Sequence, residues 1–217
     1  WRTHKMSTTR VQLIDKNTTV GTAAAEDTKI VFDGNAQDFH IGLDDSADSL
    51  IIGKGSALGT TSNIVIDENG HVTKPLQPAF LAQPSSTQTD FNQGQSVTVV
   101  FGTERFDNNA DFASNTFTAP STGRYHFDVS IKINGLSTED SATYYYWTLI
   151  TSNRSYYHLS SVNELGSGTA GFCFAGSILA DMDANDTAYI TIIMGGTSGT
   201  GPSDVSPDSY WSGHLAC

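Results

Sequence analysis

The chain has 217 residues, 38% of them hydrophobic, and its 11 Lys and Arg against 23 Asp and Glu leave a formal charge of −12 at pH 7. Such acidity repels a phosphate backbone, so nucleic-acid binding is not expected. No stretch approaches the roughly eighteen apolar residues of a membrane helix, so membrane insertion is not expected either. The acidity lies mainly in the second half, −3 before Phe80 and −9 from there on, and reads as a solvated surface or as an attraction for divalent cations.

Residues 1–28 are polar and weakly patterned, with Val11, Leu13 and Val20 as the makings of one short strand. The opening Trp1–Lys5 leads into polar residues without the apolar core of a signal peptide. From Lys29 the pattern sharpens into short apolar pulses: Ile30-Val31-Phe32, Phe39-His40-Ile41-Gly42-Leu43, Leu50-Ile51-Ile52-Gly53 and Ile64-Val65-Ile66. Each closes near Asp, Asn or Gly, and each has the length of a strand rather than of a helix. About forty-five residues with about a dozen sizeable apolar side chains cannot offset backbone ordering, which costs roughly 1–2 kcal/mol per residue. The segment is therefore expected to need partners, and three copies about a common axis would cover its faces and edges. The alternative is a small β-meander packed on the rest of its own chain. Lys74-Pro75-Leu76-Gln77-Pro78 reads as an extended connector, which divides the chain into a polar segment (1–28), a β-rich stalk segment (29–77) and a globular head (78–217).

In the head, Ala79–Ala82 reads as the first strand, 83–95 as a loop and Val97–Phe101 as a second, β-branched strand. A polar, Asn/Asp-rich loop follows, then Phe117–Pro120 and the turn Ser121-Thr122-Gly123. Strict alternation then sends Tyr125, Phe127, Val129, Ile131 and Ile133 to one face and Arg124, His126, Asp128, Ser130 and Lys132 to the other. Strands are expected over 142–151, 154–161, 169–179, 187–194 and 209–215, with turns at 134–141 and 166–168, an acidic corner at Asp181–Asp186 and a Gly/Ser/Pro loop over 195–207. At least eight strands at this spacing, with no helical period, make an all-β, double-sheet jelly roll.

The residues Phe101, Asp107, Phe112, Phe117, Gly123, Tyr125 and Phe127, with the closing Tyr210-Trp211-Ser212-Gly213-His214-Leu215, resemble the signature of the C1q-like domain of the C1q/tumour-necrosis-factor superfamily. Two departures stand out: a shorter interval from Phe112 to Phe117, and Val129 where that family usually has an aromatic residue. The resemblance covers about 78–215. It implies a jelly roll, homotrimers packed through aromatic-rich faces, and the capacity of some members to carry calcium. The 29–77 segment looks like the β-rich shafts of bacteriophage tail fibres, which lead into a globular tip.

Candidate chemistry is sparse. The six histidines (His4, His40, His71, His126, His158, His214) are scattered and no strained nucleophile turn accompanies them, so a Ser/His enzyme is not expected. The carboxylates Asp44, Asp45 and Asp48, and Asp181, Asp183 and Asp186, suit glycan hydrolysis, calcium, or simply turns; the second trio is the better calcium candidate. The rings Tyr144, Tyr145, Tyr146, Trp147, Tyr156 and Tyr157 form the remaining cluster, with Tyr144 and Tyr146 on one strand face and Tyr145 and Trp147 on the other. They suit a trimer interface or a ligand platform. Cys173, in an apolar run, reads as a small core residue, and Cys217 as a free tail thiol. The expectation is a non-enzymatic, homotrimeric, extracellular structural and receptor-binding protein, the tip of a virion tail fibre or similar appendage, that binds a cell-surface glycan or protein. The alternatives are a secreted C1q-like recognition lectin and a glycan-cleaving fibre tip.

Overall fold

A computed structural model describes residues 19–91, 93–134, 142–162, 171–196 and 203–217, without the side chain of Asp90. The strand expected about Val11 and Leu13 and the turns over 135–141 and 166–168 lie outside the described residues. The chain folds as two compact units, with the boundary between Pro75 and Leu76.

The first unit is an antiparallel meander of β1 (Thr28–Phe32), β2 (Phe39–Asp44), β3 (Ser49–Lys54), β4 (Ser62–Ile66) and β5 (Val72–Thr73), hydrogen-bonded in that order. Register decides what each face carries. Directly paired residues share a face, so Ile30, Ile41, Ile52 and Ile64 form one row across four strands. Leu43, Leu50, Ile66 and Val72 form a second row, and Phe32 and Phe39 pair beside the first. The opposite face holds His40, Gly42, Ile51 and Gly53, and the β3–β4 loop folds over it. There Gly55 O meets His40 Nδ1 at 2.8 Å and Ser56 O accepts Lys29 Nζ at 2.7 Å. Gly42 and Gly53, the recurrent glycines of the pulses, make that cover possible: a Cβ at Gly53 would lie 2.5 Å from the His40 ring, and one at Gly42 2.9 Å from Leu58. The apolar rows have no such cover. Of the large apolar side chains in this unit only Ile51 is buried among the described residues.

The second unit comprises β6 (Ala79–Gln83), β7 (Gln88–Phe91), β8 (Val97–Thr98), β9 (Thr103–Asp107), β10 (Phe112–Ala113), β11 (Thr116–Thr118), β12 (Gly123–Asn134), β13 (Ala142–Thr151), β14 (Ser155–Ser161), β15 (Gly171–Met182), β16 (Thr187–Gly196), β17 (Ser203–Val205) and β18 (Tyr210–Leu215). Its pairings are antiparallel and nested: β6 with β18, β11 with β16, β12 with β15, β13 with β14. A chain folded back on itself and then rolled gives this nesting, and it generates two sheets, β15-β12-β18-β6-β9, to which β17 and β7 add beside β12, and β10-β11-β16-β13-β14, to which β8 adds beside β16. That is a jelly roll, and no α-helix interrupts it among the described residues.

The inward faces form one core. All five inward residues of β12 are buried, as alternation demands. Phe80 anchors the aromatic centre, stacked on Phe112 (centroids 4.9 Å) and Phe117 (5.1 Å) and edge-on to Trp211 (5.0 Å). The signature residues thus have physical roles. Phe101, Phe112, Phe117, Tyr125 and Phe127 fill this core. Asp107 accepts the N–H groups of Asp111 and Phe112 at 3.1 and 3.0 Å and so shapes the turn into β10.

Four local expectations are corrected. The run 97–101 forms a strand only over Val97–Thr98: the Val99 N–H still reaches Ile190 O, but side-chain amides capture the next two, Gln88 that of Val100 and Asn115 that of Phe101. Within 83–95 and 195–207, read as loops, β7 and β17 pair with each other. Ser130 is buried although it lies on the outward face, beneath Cys173, whose Sγ is 3.0 Å from Ser130 Oγ. Cys173 itself is exposed, since Phe172 and Phe174 take the inward positions of β15.

Candidate functional site

The ring cluster divides by strand alternation. Tyr145, Trp147 and Leu149 of β13 point inward and are fully buried. Tyr145 Oη lies 2.6 Å from Ser203 Oγ, and Trp147 stacks on His158 at 5.1 Å over the gap left by Gly176. Tyr156 is half-buried against the same core, and desolvation raises its phenol above the ordinary value. Tyr145 and Trp147 are therefore core residues and are withdrawn as surface candidates.

Tyr144, Tyr146 and Tyr157 remain, and register brings them together. β13 pairs with β14 on one side and β16 on the other, so Tyr144 faces Ser161 and Gly195, Tyr146 faces Leu159 and Ile193, and Thr148 faces Tyr157 and Thr191. The Tyr144 and Tyr146 rings are near-parallel at 6.1 Å, and Tyr157 meets Tyr146 edge-on at 6.0 Å. Gly195 is required here: the Tyr144 ring lies across its Cα, in the space that a Cβ would occupy. Thr148 and Thr191 are buried among the rings, while Tyr157 is 71% and Leu159 62% exposed. Sequence reading named the three tyrosines but missed Leu159, Ile193 and Gly195, which join them only through cross-strand register. None of the outward positions of β11, β13, β14 and β16 is Asp, Glu, Lys, Arg or His.

The acidic corner is a turn. Asp181 stands on β15 with its carboxylate 2.8 Å from Arg154 Nη2. Asp186 Oδ2 accepts the Asp183 N–H at 2.8 Å, and Asp183 meets Thr122 Oγ1 at 3.5 Å. Among the described residues no three His, Cys, Asp or Glu side chains gather in a group that could hold a metal ion. Of the described histidines, His126 and His214 are neighbours and the others stand apart. His71 pairs with Asp67 at 3.0 Å, His126 Nδ1 stands 3.4 Å from Asp128 and its ring 5.3 Å from that of His214, and His40 is buried in the first unit. On the outward face of the other sheet a shallow depression of about 370 Å³ is lined by Asp128, Ser177, Tyr210 and Ser212. No helix among the described residues is long and apolar enough to cross a membrane.

No family model and no curated protein matches the chain. Among solved structures it is similar to the globular domain of zebrafish complement 1qA protein, with a TM-score of 0.47 and 16% identity over 65% of this chain and 98% of that one. It is also similar to murine APRIL, with a TM-score of 0.45 and 9% identity over 64% of this chain and 98% of that one.

Proposed function

We propose that the protein is a non-enzymatic, extracellular attachment protein. It self-associates through the 28–73 sheet, as three copies, and presents its jelly-roll heads to a cell-surface ligand, as a virion fibre tip or similar appendage does. One observation carries the reading: the uncovered apolar face of the first unit. Ten large side chains lie in register there, and Phe32, Val72, Phe39 and Ile30 are each at least 47% exposed. Strand spacings of about 4.8 Å and rises of about 3.4 Å per residue make the face on the order of 400 Å² as flat area. That is the size of the largest apolar patch on a soluble protein, which is often functional. The two long rows are aliphatic, and the Phe32–Phe39 pair continues them to Lys54 at the margin, so the rows of a second and third copy complement them without pairing charges.

The head offers a second support. The outward face of β15-β12-β18-β6-β9 exposes Leu179, Phe106 and Tyr210. Association multiplies head contacts, so weak single-site binding becomes avidity. Native mass measurement at micromolar concentration tests the reading. Three chains are expected for the parent protein and one for Ile52→Glu, placed at the centre of the apolar face; a parent particle of one chain overturns it. A control substitution on the opposite face, Thr73→Glu, should keep three.

A further inference from the structure

The outward face of the β10-β11-β16-β13-β14 sheet is neutral in a chain of net charge −12. Its composition is peculiar in a second way. The outward positions mix rings with hydroxyls: Tyr144, Tyr146, Tyr157 and Tyr189 stand among Ser155, Ser161, Thr116, Thr118, Thr187 and Thr191. The apolar face of the first unit carries a hydroxyl only at its margin, on Thr28 beside Leu43. A surface meant to be buried against another protein copy resembles the first unit; a surface of open rings bordered by donors and acceptors suits a ligand that has both apolar faces and many hydroxyls.

We propose that this face binds a neutral polysaccharide, with Tyr157, Tyr146 and Tyr144 as stacking anchors. The inference rests on the reading of the head as a recognition module and names its ligand class. Pyranose rings present C–H faces that stack on aromatic rings, and equatorial hydroxyls that pair with Ser, Thr and Tyr hydroxyls. The anchors are pre-set. Tyr146 is braced between Tyr144 and Tyr157, and Tyr144 is seated on Gly195, so little side-chain freedom is lost on binding. The three rings form one contiguous aromatic patch, with centroids 6.1 and 6.0 Å apart, in which Tyr157 stands across Tyr146 and is the most exposed of the three. Charge selects among glycans. An anionic sugar finds no cation among the described residues of the face, and Arg154, at the start of the β14 hairpin arm, is held by Asp181 at 2.8 Å. The negative charge of the whole molecule further disfavours sialylated or uronic polymers.

The test is titration of the full chain with neutral hexasaccharides of the malto, cello, laminari, manno and chito series, and with polysialic acid and hyaluronan, followed by calorimetry and tyrosine fluorescence. At least one neutral series is expected to bind with little salt dependence. Tyr157→Ala and Leu159→Ala, both at highly exposed positions, should weaken that binding about tenfold or more while the melting temperature stays unchanged. Gly195→Ala, whose Cβ would displace the Tyr144 ring, should weaken the binding as well, with a lowered melting temperature. The proposal is overturned if no neutral series binds, if only the anionic polymers bind, or if Tyr157→Ala binds as the parent does. It is equally overturned if Tyr157→Arg lowers the native mass, since the face is then a contact between copies. A particle of three chains without sugar binding removes the ligand class and leaves self-association standing; a single-chain particle that binds sugar does the reverse.

Discussion

Asp67 holds the β4–β5 turn with a single carboxylate: Oδ1 accepts the N–H groups of Asn69 and His71 at 2.9 and 2.8 Å, and Oδ2 faces His71 Nδ1 at 3.0 Å. The backbone bond from His71, and then its imidazole, hold this carboxyl below its ordinary value of 3.8. A carboxyl depressed on folding contributes stability that is full above the unfolded value and is lost as pH falls through the folded one. Melting temperature should therefore drop with acid below about pH 4, and Asp67→Asn should flatten that part of the profile. Asp111 has the opposite sign. Burial raises its carboxyl and Oδ2 has no hydrogen-bond partner among the described residues, so its unfavourable contribution grows as pH rises above 3.8. Asp111→Asn should accordingly raise the melting temperature at neutral pH, and an unchanged or lowered value would count against that account. Gly213 is a third single-residue lever. A Cβ there would lie 2.5 Å from Phe127 and 2.8 Å from Phe80, so Gly213→Ala should cost about 1–3 kcal/mol in denaturant unfolding of the head.

At the scale of elements, β12 is legible in the sequence because Tyr125 to Ile133 alternate without a break, and the five inward side chains are buried as read. Its pairing on both flanks, with β15 and with β18, makes it the centre of its sheet. Phe127→Ala there should cost about 3–5 kcal/mol, measured by chemical denaturation. β15 is legible as a strand but not in phase. Gly171-Phe172-Cys173-Phe174-Ala175 has no polar alternation, so nothing local says which side faces in; packing of Phe172 and Phe174 on the core puts Cys173 outside. The run Val97–Phe101 shows the converse. Its β-branched residues favour a strand, yet two of its N–H groups go to the amides of Gln88 and Asn115, and Val99 and Phe101 are buried without extending the strand. β7 and β17 escape a local reading because each is short and draws its partner from far along the chain.

At the scale of the molecule, each unit carries a face that the unit itself leaves open, and the two differ in chemistry. The 28–73 sheet shows long aliphatic rows; the head shows rings set among hydroxyls. Poverty of apolar residues in the first unit is evident from composition. The consequence, a sheet with only Ile51 buried among its described large apolar side chains, needs the register. If the open rows are the self-association surface, then raising ionic strength should leave the native mass unchanged, because no ion pair would hold the copies together. A mass that falls with salt would point to the charged surface instead.

The amino-acid sequence by itself determined the all-β class, the break near the Lys74–Pro78 connector, the inward face of β12 and the acidity that disfavours nucleic acid. These follow from composition, period and proline, which act over a few neighbouring residues. Only tertiary structure decided which of the six clustered rings are outside, because Tyr144 and Tyr145 differ by one position and alternation alone does not say which side meets the core. It also decided that Asp181 pairs with Arg154 rather than joining Asp183 and Asp186, and that Leu159, Ile193 and Gly195 complete the tyrosine face. Those outcomes depend on strand register between residues far apart in the chain, where backbone hydrogen bonding is indifferent to side-chain identity and the shared core sets the alignment.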